Sequence, residues 1–173
     1  HATAAGLVDG RKRLLEGGKE CGVGELGSNA MRRPCVEKSF GIWNAEFTQS
    51  YTAAEAGMDR WIDWGRADFV GRDAAMAERD SNGPSRRVVT LEVQSDDADA
   101  SGFEPVWNNG DLVGFVTSGG YGHTVGKSLA MAMVDASVAD EGKDLQVHIV
   151  GAECAAQVIA PSPYDAQGMA MRG

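Results

Sequence analysis

The residues with the most chemical promise run from Ser118 to Ser128, SGGYGHTVGKS, and end in Gly126-Lys127-Ser128, the close of a phosphate-cradling loop. Such a loop needs a glycine five positions before the glycine of the triplet, so that successive backbone N–H groups wrap the phosphates. That position is Tyr121, and Gly120 and Gly122 each miss it by one. A phosphate loop also opens a helix whose N-terminus faces the anion. Here the triplet leads into LAMAMV, an apolar run of strand length. The segment therefore reads as a glycine turn before a strand, with Lys127 starting the strand.

The other candidates are scattered. His1 is terminal, His123 lies in the glycine loop and His148 alternates within an apolar run. No two His or Cys stand at metal-ligand spacing. The carboxylate runs DDADA (96–100) and DASVADEGKD (135–144) read as solvated loops. Glu37 differs, because it sits in a sparsely charged stretch between Val36 and Lys38. A buried carboxylate there has a purpose, since an unpaired buried charge is costly. It either orients a polar ligand or pairs with Lys38 or Arg33. Trp61 and Trp64, three apart, offer flat faces for a planar ligand or for core packing.

These residues must be held by elements of two kinds. From Thr3 to about residue 85 the spacing is helical. Ala4, Leu7, Val8, Leu14 and Leu15 share a face, with Thr3 as N-cap and Gly17-Gly18 as stop. A second helix starts at Ser28 and is expected to break at Pro34, which lacks the N–H and clashes with the preceding turn. A third covers Arg72 to Asp80. After Arg86 the grammar changes to strands: RRVVTLEV, then PVWNNGDLVGFVTSGG with an Asn-Gly hairpin signal, then KSLAMAMV, then the pair LQVHIV and CAAQVIA. Short strands separated by turn signals predict a small closed barrel or Greek key. The fold class is α+β, a helical N-terminal part (1–85) followed by a small Greek-key β-barrel (86–173) with an irregular tail, PSPYDAQGMAMRG.

Composition narrows the function classes. The chain has 173 residues, 43% of them apolar, and a net charge of −9 from 25 acidic and 16 basic residues. That balance argues against nucleic acid as a partner, because a basic patch is the usual footprint. No apolar run is long enough for a membrane span, and the N-terminus lacks a signal-peptide layout. The three cysteines, Cys21, Cys35 and Cys154, form neither a metal nor a disulfide framework and suit a reducing cytosol. The expected location is cytoplasmic.

The order of motifs is itself informative. VEKSFGIWNAEFTQSYTAAEAGMDRWIDWGRADFVGRDAAMAER, RRVVTLEV, GFEPVWNNGDLVGFVTSGGYGHTVGKSLAMAMV and PSPYDAQGMAMRG follow one another in register. Together they resemble the C-terminal portion of the aminomethyltransferase (glycine-cleavage T-protein) family, especially as fused to FAD-dependent dimethylglycine and sarcosine dehydrogenases. The resemblance implies three domains around a tetrahydrofolate site, the last a β-barrel. It implies Glu37, Trp61 and Tyr164 as folate-lining residues, with no catalytic residue in this chain. It further implies that FAD belongs to an upstream domain, and that the partners are folate and the upstream domains of the same polypeptide. The family's folate-tail arginine falls at Met31, and its leucine-arginine-leucine before the glutamate is Pro34-Cys35-Val36 here. An alternative therefore stands beside the folate reading: a non-catalytic structural or interaction barrel that has lost the site.

Overall fold

The computed structural model describes residues 3–81 and 83–172, and the backbone alone at positions 29, 32 and 171. His1 lies outside the described residues. The chain forms two compact units, divided between Met31 and Arg32.

The first unit is built on α1, Ala4–Gly17. The Thr3 hydroxyl accepts from the Gly6 N–H at 3.2 Å, satisfying one of the orphan donors of the first turn. Gly18 closes the helix by donating to the Leu14 carbonyl at 2.9 Å. Both ends are where the cap residues put them.

α2, Ser28–Glu37, does not break at Pro34. The ring removes one helical hydrogen bond, yet the turn continues, with Lys38 N–H donating to the Pro34 carbonyl at 3.0 Å and Phe40 N–H to the Cys35 carbonyl at 2.8 Å. Val36, Glu37 and Lys38 are all buried. Tertiary anchoring of the last turn offsets the local cost of about 3 kcal/mol for an interior proline. α3 is Arg72–Asp80. Between α2 and α3 the chain is mostly turns, with one 3₁₀ turn at Asp59–Trp61.

Six antiparallel strands close into a barrel: β1 Arg86–Val93, β2 Pro105–Asn108, β3 Asp111–Gly122, β4 Lys127–Asp135, β5 Asp144–Ile149 and β6 Ala152–Ile159. The order round the barrel is β1-β4-β3-β2-β5-β6. β2, β3 and β4 are successive hairpins, and β1 lies beside β4, which is a Greek-key connection. Asn109 (φ 53°) and Gly110 (φ 92°) make the tight β2–β3 turn that the Asn-Gly pair predicts. Val150 (φ 49°) and Gly151 (φ 84°) make the corresponding turn between β5 and β6.

The interior is filled by alternating residues such as Val89, Leu91, Ala130, Ala132, Leu145 and Val147. Ala100 and Val138 join this core, so the two acidic runs are not wholly solvated loops as expected. The outward-facing residues of β4, Leu129, Met131 and Met133, are buried as well. The segment from Glu37 to Glu55 lies across the outside of β1, β3 and β4. Ser39 Oγ meets Thr90 Oγ1 at 2.7 Å, and Val88 N–H donates to the Glu55 carbonyl at 2.9 Å.

Gly126 (φ 71°) closes the β3–β4 turn, and Lys127 opens β4 with its Nζ 2.6 Å from Glu92 Oε2. The Gly-Lys-Ser triplet opens a strand, as read from the sequence. The tail corrects one expectation: it ends in a single helical turn, α4, Met169–Arg172. Asp165 Oδ1 accepts from the Met169 N–H at 2.7 Å and supplies the N-terminal cap.

Candidate functional site

Three glutamates of the segment laid on the barrel are buried, and each is a fastening. Glu37, 3% exposed at the end of α2, accepts through Oε1 from Thr124 N–H (2.6 Å) and Val125 N–H (3.3 Å), and through Oε2 from Thr124 Oγ1 (2.9 Å). It thereby caps the turn between β3 and β4. A Cβ at Gly122 would sit 2.9 Å from Val125 Cγ2 and 3.0 Å from Glu37 Cγ and Oε1, so a side chain at this strand end would have to push one or the other aside. Glu46, 1% exposed, accepts from Ile42 N–H at 2.8 Å and Ser118 Oγ at 2.7 Å. Glu55 and Thr52 form a capping box: Thr52 N–H donates to Glu55 Oε2 (3.0 Å) and Glu55 N–H to Thr52 Oγ1 (3.1 Å). Its other oxygen accepts from Arg86 Nε at 3.2 Å. These bonds are what make the buried carboxylates tolerable.

The ion pair of Glu37 with Lys38 or Arg33 is not the arrangement found. Lys38 Nζ donates to the Asp165 carbonyl and lies 3.5 Å from Asp165 Oδ2, while Arg33 meets His123 Nε2. The tail is clasped by the same stretch. Tyr164 N–H donates to the Glu37 carbonyl at 3.1 Å, Ser162 N–H to Ser39 Oγ at 2.8 Å, and Ser162 Oγ to the Lys38 carbonyl at 2.6 Å. Burial pushes the Asp165 carboxyl up. The backbone N–H groups of Met169 and Ala170 and the Lys38 ammonium outweigh it and hold the carboxyl below its ordinary 3.8.

Trp61 stands elsewhere in this unit. It is 71% exposed, carries the Arg60 guanidinium 5.4 Å from its ring centre, and lines a cleft of about 530 Å³. Phe40, Phe47 and Met58 form the apolar wall of that cleft, and Thr90 and Met131 of the barrel form its floor. Glu37 and Tyr164 are joined through the backbone, but neither lines the Trp61 cleft. Trp64 is separated from Trp61 as well: it stacks on Arg79 (4.9 Å) beside a different cleft. His123 is exposed and lies edge-on to Tyr121, and His148 lies against Trp107. Among the described residues no group of three or more His, Cys, Asp or Glu is placed to hold a metal ion.

Against this geometry the comparisons are specific. Residues 86–165 match the family described as the glycine cleavage T-protein C-terminal barrel domain. The barrel is a T-protein C-terminal barrel domain.

The similarity runs beyond the T-protein barrel into the segment that carries Glu37 and Trp61. The chain is 34% identical over 149 residues to the mouse (Mus musculus) protein named "Dimethylglycine dehydrogenase, mitochondrial", covering 86% of this chain and 17% of the relative. It is 32% identical over 151 residues to an aminomethyltransferase of Thermosynechococcus vestitus, covering 87% of this chain and 39% of that protein. A crystal structure of the glycine cleavage system aminomethyltransferase T from Bartonella henselae superposes with a TM-score of 0.71 at 24% identity, over 79% of this chain and 38% of that one, which establishes the likeness of fold. The chain is thus an aminomethyltransferase-like C-terminal region related to dimethylglycine dehydrogenase. It spans between about a sixth and two fifths of the length of these relatives.

Sequence reasoning passed over Phe40, Phe47, Glu46 and Glu55. For Glu55 a signal was present, since Thr52-Ala53-Ala54-Glu55 is a capping-box signature. The aromatic wall had none, because Phe40 and Phe47 lie outside any periodic element.

Proposed function

We propose that the chain is the folate-facing C-terminal part of an FAD-dependent N-methyl amino acid dehydrogenase of the dimethylglycine or sarcosine type, serving one-carbon transfer to tetrahydrofolate. Residues 1–85 are the end of the folate-binding aminomethyltransferase domain and residues 86–173 its barrel partner. FAD belongs to an upstream domain. The thiols speak for a reducing compartment, which we take to be the cytoplasm. The mammalian relatives are named mitochondrial, and the cysteine usage suits a reducing matrix equally.

One observation carries this reading: the Trp61 cleft in a chain of this family. Tetrahydrofolate carries a flat pyrimidinone fused to a saturated, puckered ring, then an aminobenzoyl ring and an anionic tail. An exposed indole with phenylalanine and thioether walls suits the flat rings by stacking, and among the described residues Arg60, beside Glu46 and Glu141 in the same lining, is the one cation there for the tail. The fit of Glu37 is narrower. Three donors occupy its two oxygens, leaving one lone pair on Oε2 for a ligand N–H. Tyr164, 37% exposed, offers a ring and a phenol beside it. The three residues bind and orient, and none is assigned a proton transfer.

Anaerobic calorimetry with tetrahydrofolate tests the proposal. The parent polypeptide binds well, and Trp61→Ala or Glu37→Ala in it weakens binding by about 1–3 kcal/mol. The 173-residue chain alone binds weakly, because a pocket must bury most of its ligand. Unchanged affinity in both variants would sink the site, and tight binding by the chain alone would show it to be self-contained. The commitment of Glu37 to the barrel turn favours a second reading, a structural barrel that has lost folate. A folded parent that takes up no tetrahydrofolate supports it.

A further inference from the structure

A further cleft, of about 490 Å³, opens between the segment laid on the barrel, the loop before β2 and the middle of β3. It shares only Phe40 with the Trp61 cleft. Among the described residues none of its lining side chains is charged, although 24% of the chain is. Its walls are aromatic (Phe40, Tyr51, Phe103, Phe115) and hydroxylic. Two of the hydroxyls have spent their protons. Thr117 Oγ1 donates to the Met131 carbonyl at 3.0 Å and Ser118 Oγ to Glu46 at 2.7 Å, so each oxygen keeps a lone pair to accept a further hydrogen bond.

Phe103 is the telling residue. Its φ is +74°, in the left-handed region, where a bulky side chain is a genuine outlier. Its N–H donates to the Val116 carbonyl at 2.7 Å, a bond that any residue makes. Its ring is 87% exposed and lies nearly parallel to that of Phe115, centres 6.4 Å apart and planes 13° apart. Glycine serves the backbone better there, and burial of the ring does not repay the strain. Local rules fail in this manner where a side chain is kept for contact with something else.

We propose that this cleft binds an uncharged aromatic or heteroaromatic ring bearing an N–H or O–H donor. The phenylalanines stack on the ring, and the hydroxyl lone pairs of Thr117 and Ser118 accept from its donor. A charged ligand is disfavoured, because no counter-charge lines the wall to offset its desolvation. The site is independent of the folate reading, since that ligand carries an anionic tail.

The test uses two fluorescent probes with the same rings, neutral N-phenyl-1-naphthylamine and its sulfonated analogue 1-anilinonaphthalene-8-sulfonate, titrated into the 173-residue chain. The neutral probe, which carries an N–H, is expected to bind at least tenfold more tightly than the sulfonate. Phe103→Gly is expected to weaken the neutral probe at least tenfold while holding the melting temperature or raising it by a few degrees. Trp61→Ala leaves the neutral probe unaffected, and an excess of 5-formyltetrahydrofolate does not displace it. Equal affinity for the two probes, retention of the probe by Phe103→Gly, or a fall in its melting temperature each overturns the proposal. Loss of the probe in Trp61→Ala assigns it to the other cleft and does the same.

Discussion

At the scale of single residues, the buried carboxylates are the clearest case of chemistry serving architecture. Among the described residues, Glu37 is the only side chain bonded to the Thr124 and Val125 N–H groups in the turn between β3 and β4. Glu37→Ala therefore removes that acceptor and is expected to cost about 1–3 kcal/mol of stability, and Glu37→Gln less, since its amide oxygen can still accept. Urea unfolding with an unchanged m-value checks both, and a loss below about 0.5 kcal/mol for Glu37→Ala contradicts the fastening role. Val150 makes the opposite case. A β-branched residue at φ 49° occupies a hairpin position that suits asparagine, and its side chain is exposed. Val150→Asn is expected to raise stability by about 1 kcal/mol, read as a higher melting temperature.

At the scale of elements, the clasp between residues 37–39 and the tail decides whether α4 exists. Asp165 caps that turn and faces Lys38. Its folded pKa lies below the ordinary carboxylate value, so its contribution is present above about pH 4 and is lost as the pH falls through the depressed value. Asp165→Asn should flatten the acid limb of the stability curve, and the Met169 amide should exchange faster with deuterium at neutral pH. An unaltered acid limb would assign the clasp to Ser162, to the Tyr164 N–H and to the Asp165 carbonyl. The same element shows where sequence was readable. The hairpins, α1 and α3 were legible because their signals are local: Asn109-Gly110, the Thr3 cap and a short helical run from Arg72. The passage of α2 through Pro34 and the turn at Met169 were not. Both depend on partners far along the chain, Thr124 for Glu37 and Lys38 for Asp165. The site divided in the same way. Trp61 could be singled out as an aromatic, but its separation from Glu37 and Tyr164 is a property of the folded unit alone.

At the scale of the whole molecule, the barrel gives the phosphate-loop triplet an architectural place, the start of a strand. Lys127 lies in a strand and reaches Glu92, and no helix N-terminus follows it. Titration with ATP and magnesium should give no saturable binding below about millimolar. Lys127→Ala should change only stability, by less than about 1 kcal/mol, the usual worth of an exposed ion pair. Micromolar ATP affinity abolished by that substitution would overturn the reading.

Closure of the barrel through β1 and β6 has a consequence for how the protein is made. β1 leaves the ribosome first, and neither of its neighbours is adjacent in sequence: β4 comes more than thirty residues later and β6 is complete roughly 66 residues after Val93. At about 5–20 residues per second, the nascent chain carries Val88, Val89, Leu91 and Val93 without ladder partners for several seconds. The β2–β3–β4 meander can form meanwhile by local turns, and β1 must then dock on its β4 edge before β5 and β6 seal the other side. Vectorial synthesis thus leaves the RRVVTLEV strand as the segment most in need of a chaperone, although in the finished fold it is among the best shielded.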